Sequence, residues 1–215
     1  MNSAVKRTLR LIQSVPEGSP VALLIRHSAR DDIPDRATGI ELPLNDLGIR
    51  LCRELGRELV GRVRSSRSSP VLRCVQTAKL LGQAAETDGE VILDKRLGAP
   101  GAYVLDEQVA WGNWLAHGNE GVIQHLLSGS GALPGMADPA EAANGLIEHL
   151  LECAGVEPGL HVFISHDSIV TPTVARAFGQ DMPKSHWPEY LDACAFWRKQ
   201  NGRVVAYRDI VQGGL

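Results

Sequence analysis

Apolar residues in this chain group into two kinds of segment. Val21-Ala22-Leu23-Leu24-Ile25 is an unbroken run of strand length, the pattern of a strand covered on both faces. His161 to Ser165, with Val162, Phe163 and Ile164 inside it, reads as a second strand of this type. The other kind has helical spacing. Leu47, Leu51, Leu55, Leu59 and Val63 recur at every fourth position and predict a helix over 47–63, capped by Asn45 or Asp46. Ala143, Leu146, Ile147, Leu150 and Leu151 predict another over 139–154. Pro70 fits the first turn of a helix running to Ala84, where its missing N–H costs nothing. Shorter patterns predict a helix over 6–15, strands over 63–69 and 91–97, and a helix over 168–178 with Pro172 in its first turn. Residues 195–197 and 204–207 form a hairpin around Asn201-Gly202, a strong turn signal. The segment 28–45, with Pro34, Gly39 and Pro43, reads as a loop over a strand end. Residues 98–135 are the least regular part, glycine-rich, with Trp111 and Trp114 and helix only over 107–116. Strands alternating with helices define an α/β fold with a mostly parallel sheet. In such sheets ligands bind beyond the carboxyl ends of strands, so segments distant in sequence can meet at one point.

Composition narrows the classes. At 215 residues, 44% hydrophobic and 22% charged, the chain fits one domain, 1–215, with an irregular cap or insert around 98–135. It is long enough to bury a core without metal or disulfide staples. A net charge of -3 argues against a nucleic-acid partner. No stretch reaches the length of a membrane span, and the first twenty residues lack a long apolar leader. Cys52, Cys74, Cys153 and Cys194 are widely spread, without metal-ligand spacing. They read as free thiols in a reducing compartment, and a cytoplasmic location is expected.

The candidate chemistry sits where the apolar runs end. Arg26-His27-Ser28-Ala29-Arg30 follows the first strand and His166-Asp167 follows the second, while Arg73 lies in the first turn of its helix. Guanidinium groups match a phosphate dianion with paired, charge-assisted hydrogen bonds. A helix start adds a favourable dipole and free N–H groups. Arg26, Arg30 and Arg73 are therefore the candidate phosphate ligands, with the Ser28 hydroxyl as a fourth. A neutral imidazole is a competent nucleophile toward phosphorus, which suits His27. His166 can donate to a phosphoryl oxygen, and Asp167 can protonate the leaving oxygen and then deprotonate water. Three arginines would repel a cation, so no metal site is expected between His27 and His166. His117, His125, His149 and His186 read as structural, with His186, Lys184 and Trp187 possible at the crevice rim. Trp111 and Trp114 read as core or lid packing rather than a substrate platform.

These residues resemble the histidine phosphatase superfamily, which includes phosphoglycerate mutases and histidine acid phosphatases. Arg26-His27 looks like the family's arginine–histidine signature, and Ser69-Pro70-x-x-Arg73-Cys74-x-Gln76-Thr77-Ala78 is similar to its second arginine block. His166 resembles the second pocket histidine. The resemblance implies a three-layer α/β sandwich, phosphoglycerate mutase-like, with a mostly parallel sheet flanked by helices. It implies a phosphohistidine on His27 and no metal or organic cofactor. The branch pattern is mixed. Arg30 and His166-Asp167 are similar to the acid phosphatases, in which the aspartate is the proton donor. The short length and the Ser-Pro-x-x-Arg-Cys block resemble the mutase-like branch, in which a mid-chain glutamate is the usual donor. Asp106 and Glu107 lie in that stretch. Ser28 stands where the family usually has glycine.

The expected activity is hydrolysis of a phosphomonoester, on a small molecule or a phosphoprotein, through a phosphohistidine, with Asp167 preferred as the acid. A phosphoglycerate mutase-like phosphotransferase and a non-catalytic phospho-ligand binding module are the alternatives. The presence of Asp167 counts against the last.

Overall fold

In the computed structural model, residues 2–33, 39–200 and 202–213 are described. In chain order the elements are α1 (Ser3–Ser14), β1 (Pro20–Arg26), α2 (Asp46–Arg57), β2 (Val63–Ser68), α3 (Leu72–Ala84), β3 (Val91–Leu93), α4 (Glu107–Ser128), α5 (Pro139–Ala154), β4 (Gly159–Ser165), α6 (Asp167–Phe178), β5 (Ala193–Lys199), β6 (Gly202–Tyr207) and β7 (Ile210–Gly213). Short 3₁₀ turns lie at Lys95–Leu97 and Lys184–His186.

The strands form one mixed sheet in the order β3-β2-β4-β1-β5-β6-β7. Its first four members, β3, β2, β4 and β1, run parallel. β5, β6 and β7 add an antiparallel meander on the other side of β1. Successive side chains of a strand point to opposite faces, and here both faces are covered. Val21, Leu23 and Ile25 of β1 join a core with α1, α2 and α3. Ala22 and Leu24 join a second core with α4, α5 and α6. This explains why β1 reads as a continuous apolar run. The result is the three-layer α/β sandwich expected from the sequence. No helix among the described residues is long and apolar enough to cross a membrane.

Several boundaries differ from the sequence expectations. The helix predicted over 47–63 ends at Arg57, and Val63 opens β2. Leu59 still reaches the core, through a turn rather than a helix. Asn45 is the cap, its side chain accepting from the Gly48 N–H. β3 covers only 91–93 of the strand predicted over 91–97, and a 3₁₀ turn follows it. Pro172 lies inside α6, beyond its first turn, and the helix continues because its flanking residues are buried in the second core. The segment read as irregular contains the 22-residue α4, whose path breaks at Gly118 (φ 66°, ψ 175°). Asn201 and residues 34–38 of the predicted loop lie outside the described residues.

Candidate active site

Parallel pairing brings the two histidines together. β1 and β4 are neighbours in register, with Arg26 opposite Ser165. The next residue of each strand is therefore His27 and His166. The His27 N–H donates to the Ser165 carbonyl at 2.8 Å, and the two rings lie edge to face with centroids 5.4 Å apart. β2 flanks β4 on its other side, and the Ser69 N–H donates to the Ile164 carbonyl at 3.0 Å. Immediately beyond, α3 begins at Leu72 and Arg73 lies in its first turn. Three adjacent parallel strands thus deliver the nucleophile candidate, the second histidine and the buried guanidinium to one sheet edge.

The hydrogen bonds define which nitrogens carry protons. His27 Nδ1 lies 2.8 Å from the Ser28 carbonyl, which can only accept. Neutral His27 therefore has its proton on Nδ1 and its lone pair on Nε2. Arg73 Nε donates to that Nε2 at 3.0 Å. The Arg73 Nη2 donates to His166 Nδ1 at 3.2 Å, so the His166 proton is on Nε2, 3.0 Å from the Ser69 hydroxyl. The third Arg73 bond goes from Nη1 to the Gly39 carbonyl at 2.6 Å. Two imidazoles and a carbonyl thus hold a buried guanidinium, and none of them is an anion. A buried cation without a paired anion is costly, and a bound oxyanion relieves that cost.

Burial pushes the His27 imidazole well below its ordinary range, and His166 and Arg73 add to the shift. Burial, then Arg73, push His166 down to about 3. Burial also lowers Arg73, and it lifts the Cys74 thiol to about 12. Cys74 Sγ lies 3.5 Å from His166 Nε2, but it stays protonated and is no competing nucleophile. The shifts have a consequence for stability. Below pH of about 6.5 the unfolded chain protonates both histidines while the folded chain does not. Stability is then lost as pH falls, by about 1.4 kcal/mol per pH unit for each histidine, until its folded value is reached. Urea unfolding between about pH 7 and about pH 5 checks this, and replacing both histidines with asparagine is expected to remove about two protons from the slope.

Arg30 lines the same crevice, and its Nη1 donates to the Asp31 carbonyl at 2.6 Å. Asp167 is the first residue of α6 and also lines the crevice. Its Oδ2 pairs with Arg26 Nη2 at 3.0 Å and accepts from Asn119 Nδ2 at 3.3 Å. Arg26 stacks over Tyr190, 4.5 Å from the ring centroid, and donates to the Pro188 carbonyl at 2.8 Å. Ser28 departs from expectation. It is fully buried, and its hydroxyl donates to the Gly48 carbonyl at 2.9 Å. Its N–H donates to the Thr77 hydroxyl. Ser28 therefore ties the end of β1 to α2 and α3, and its hydroxyl is not placed to hold phosphate. Asp106 is consumed as the cap of α4, accepting from the Gln108 and Val109 N–H groups, whereas Glu107 faces the crevice.

Sequence reasoning missed three neighbours of the site. Ser69 bonds His166, Tyr190 lies 5.7 Å from the His27 ring, and Gly98 packs against His166. A Cβ on Gly98 would lie 2.5 Å from His166 Cδ2, and its φ of 142° also favours glycine. Among many glycines in that segment, nothing marked this one. His149 lies outside the crevice, its Nε2 2.5 Å from Asp94 Oδ2. Lys184 pairs with Glu120, and Lys184, His186 and Trp187 are not among the crevice-lining residues. Trp111 and Trp114, read as packing, both face the crevice.

The fold and this cluster define an α/β protein with two buried imidazoles around a buried guanidinium at the carboxyl ends of parallel strands. Residues 22–100 match the family model of the histidine phosphatase superfamily (branch 1). The resemblance carried by Arg26-His27 and the Arg73 block is to that superfamily. No curated protein matches the chain in sequence. Among solved structures, a phosphoserine phosphatase variant from Entamoeba histolytica, in complex with phosphoserine, is similar with a TM-score of 0.57 at 16% identity, covering 88% of this chain and 96% of that one. Phosphoglycerate mutase from Bacillus anthracis gives 0.56 at 15%, covering 89% and 94%. A mycobacterial glucosyl-3-phosphoglycerate phosphatase, in complex with VO3, gives 0.52 at 19%, covering 83% and 96%. At these identities the likeness is one of fold.

Proposed function

We propose that the protein is a phosphomonoester hydrolase working through a phosphohistidine on His27. One observation carries this reading. The lone pair of a buried neutral imidazole, His27 Nε2, sits against a buried guanidinium, with a second imidazole beside it. In the first step Arg73 Nε turns from Nε2 to the docking dianion, Nε2 attacks phosphorus, the N–P bond forms and the ester P–O bond breaks. The Ser28 carbonyl holds the Nδ1 proton and takes part of the charge that develops on the ring. Arg73 and Arg30 stabilise the spreading negative charge, and His166, its Nε2–H turned to Ser69, holds Arg73 through Nδ1. The leaving oxygen takes the proton of a carboxylic acid, assigned to Asp167. In the second step water attacks phosphorus, its proton returns to that carboxylate and the N–P bond breaks. Arg26, which is not among the crevice-lining residues, holds Asp167 through their ion pair.

Glu107 is the other carboxylate in the crevice, and the two are separable. Loss of a general acid harms esters with poor leaving groups far more than those with good ones. Asp167→Asn is expected to slow an alkyl phosphate by about 10²–10⁴-fold and p-nitrophenyl phosphate much less, with phosphate inhibition retained. Glu107→Gln is expected to leave that leaving-group dependence in place, and the opposite pattern would move the role to Glu107. The reading itself is tested by release of phosphate from a broad ester panel, with trapping of an acid-labile, alkali-stable phosphoenzyme. Tight vanadate binding with no turnover of any ester would favour a binding module. The substrate is a small phosphorylated molecule. The thiols of Cys52, Cys74, Cys153 and Cys194 are free, which suits a cytoplasmic location.

A further inference from the structure

Resting on the hydrolase reading, we infer that the substrate is a phosphomonoester of an apolar alcohol or phenol, with no second charged group. The crevice has a volume of about 580 Å³, far more than a phosphoryl group fills. One wall carries the polar machinery. Beyond it the lining is mainly apolar, with Pro100, Val104, Trp111, Trp114, Leu115 and Ile169 beside Glu107, Asn119 and Ser168. Trp111 and Trp114 are one helical turn apart in α4, on one face of the helix, and both are partly exposed. Leu115 beside them is 58% exposed. Large apolar side chains left facing water in a crevice gain on being covered by an apolar guest.

Charge points the same way. Among the described lining residues the cationic side chains are Arg30 and Arg73. Both belong to the phosphoryl end, Arg73 by contact and Arg30 by its effect on Arg73 and His166. Among the described residues the rest of the lining offers no cation, and its charged member is Glu107. A second phosphate, or the carboxylate of a phosphoglycerate, would lie unpaired among apolar groups and beside a carboxylate. Both effects oppose binding. The hydroxyls of a sugar would have Glu107, Asn119 and Ser168 as their polar partners, in a lining otherwise mainly apolar.

The test compares kcat/KM for hexyl and phenyl phosphate with values for glycerol 1-phosphate, phosphoserine and 3-phosphoglycerate. The apolar esters are expected to lead by about tenfold or more. The Trp111→Ala variant is expected to collapse this ratio. The Leu115→Lys variant, altered at an exposed position, is expected to shift it toward 3-phosphoglycerate. Equal or greater efficiency with the charged or polyhydroxyl esters would overturn the inference while leaving the hydrolase reading intact. Binding of hexyl phosphate and glycerol 1-phosphate to His27→Ala, followed by tryptophan fluorescence, reads the preference without turnover. If no ester is hydrolysed, the hydrolase reading fails, and this titration still decides the preference. Tighter hexyl phosphate binding supports the apolar site, and equal binding overturns it.

Discussion

His27→Ala is expected to reduce phosphomonoester turnover by about 10⁴-fold or more. In the proposed mechanism the lone pair of Nε2 is the nucleophile. Its tautomer is set by the Ser28 carbonyl, and the ring is held between Arg73, His166 and Tyr190. Cys74 cannot take over, because it is held as a thiol. The loss should fall on kcat, with orthovanadate binding retained through the guanidiniums, and no phosphoenzyme should be trapped. Full activity in this variant would rule out the mechanism. Losing a buried ring also opens a cavity, so urea unfolding of the variant must accompany the kinetics.

Arg73→Met is expected to separate function from stability. Activity should fall by about 10²–10³-fold, the usual effect of removing one preorganised donor to a developing anion, and phosphate inhibition should weaken. Stability without phosphate should hold or rise. Arg73 is buried with only neutral partners, and an apolar side chain of similar volume escapes the desolvation cost of that charge. Conversely, phosphate should stabilise the wild type more than the variant, because a ligand that binds only the folded state raises its stability. Arg73→Lys should not restore activity. A single ammonium cannot contact His27, His166 and a phosphoryl oxygen with the fixed fork of a guanidinium. A variant that kept wild-type phosphate affinity would show that Arg73 is structural.

Much of the site was legible because its chemistry is attached to strong local signals. His27 and His166 close apolar runs, and Arg73 follows Pro70 at a helix start. A run such as Val21 to Ile25 requires cover on both faces, and the two cores supply it. Where local signals were weak, the reading failed. Glycines at 112, 118 and 121 diluted the apolar period of α4, so its length was missed. β7, with Ile210 and Val211 exposed, has no pattern beyond pairing to β6. Ser28 looked like a phosphate ligand because a hydroxyl beside the nucleophile has no address in one dimension. Its partner, the Gly48 carbonyl, lies across the fold.

The amino-acid order determined which groups stand at element ends, because apolar period and capping chemistry act over a few residues. It thereby placed an imidazole beyond each of two core strands and a guanidinium at a helix start. Which strands became neighbours, how deeply Arg73 is buried, which histidine nitrogen keeps its lone pair, and that Gly98 and two tryptophans face the same crevice were decided only in three dimensions. Those properties depend on contacts between segments separated by tens of residues, where no local energy term acts.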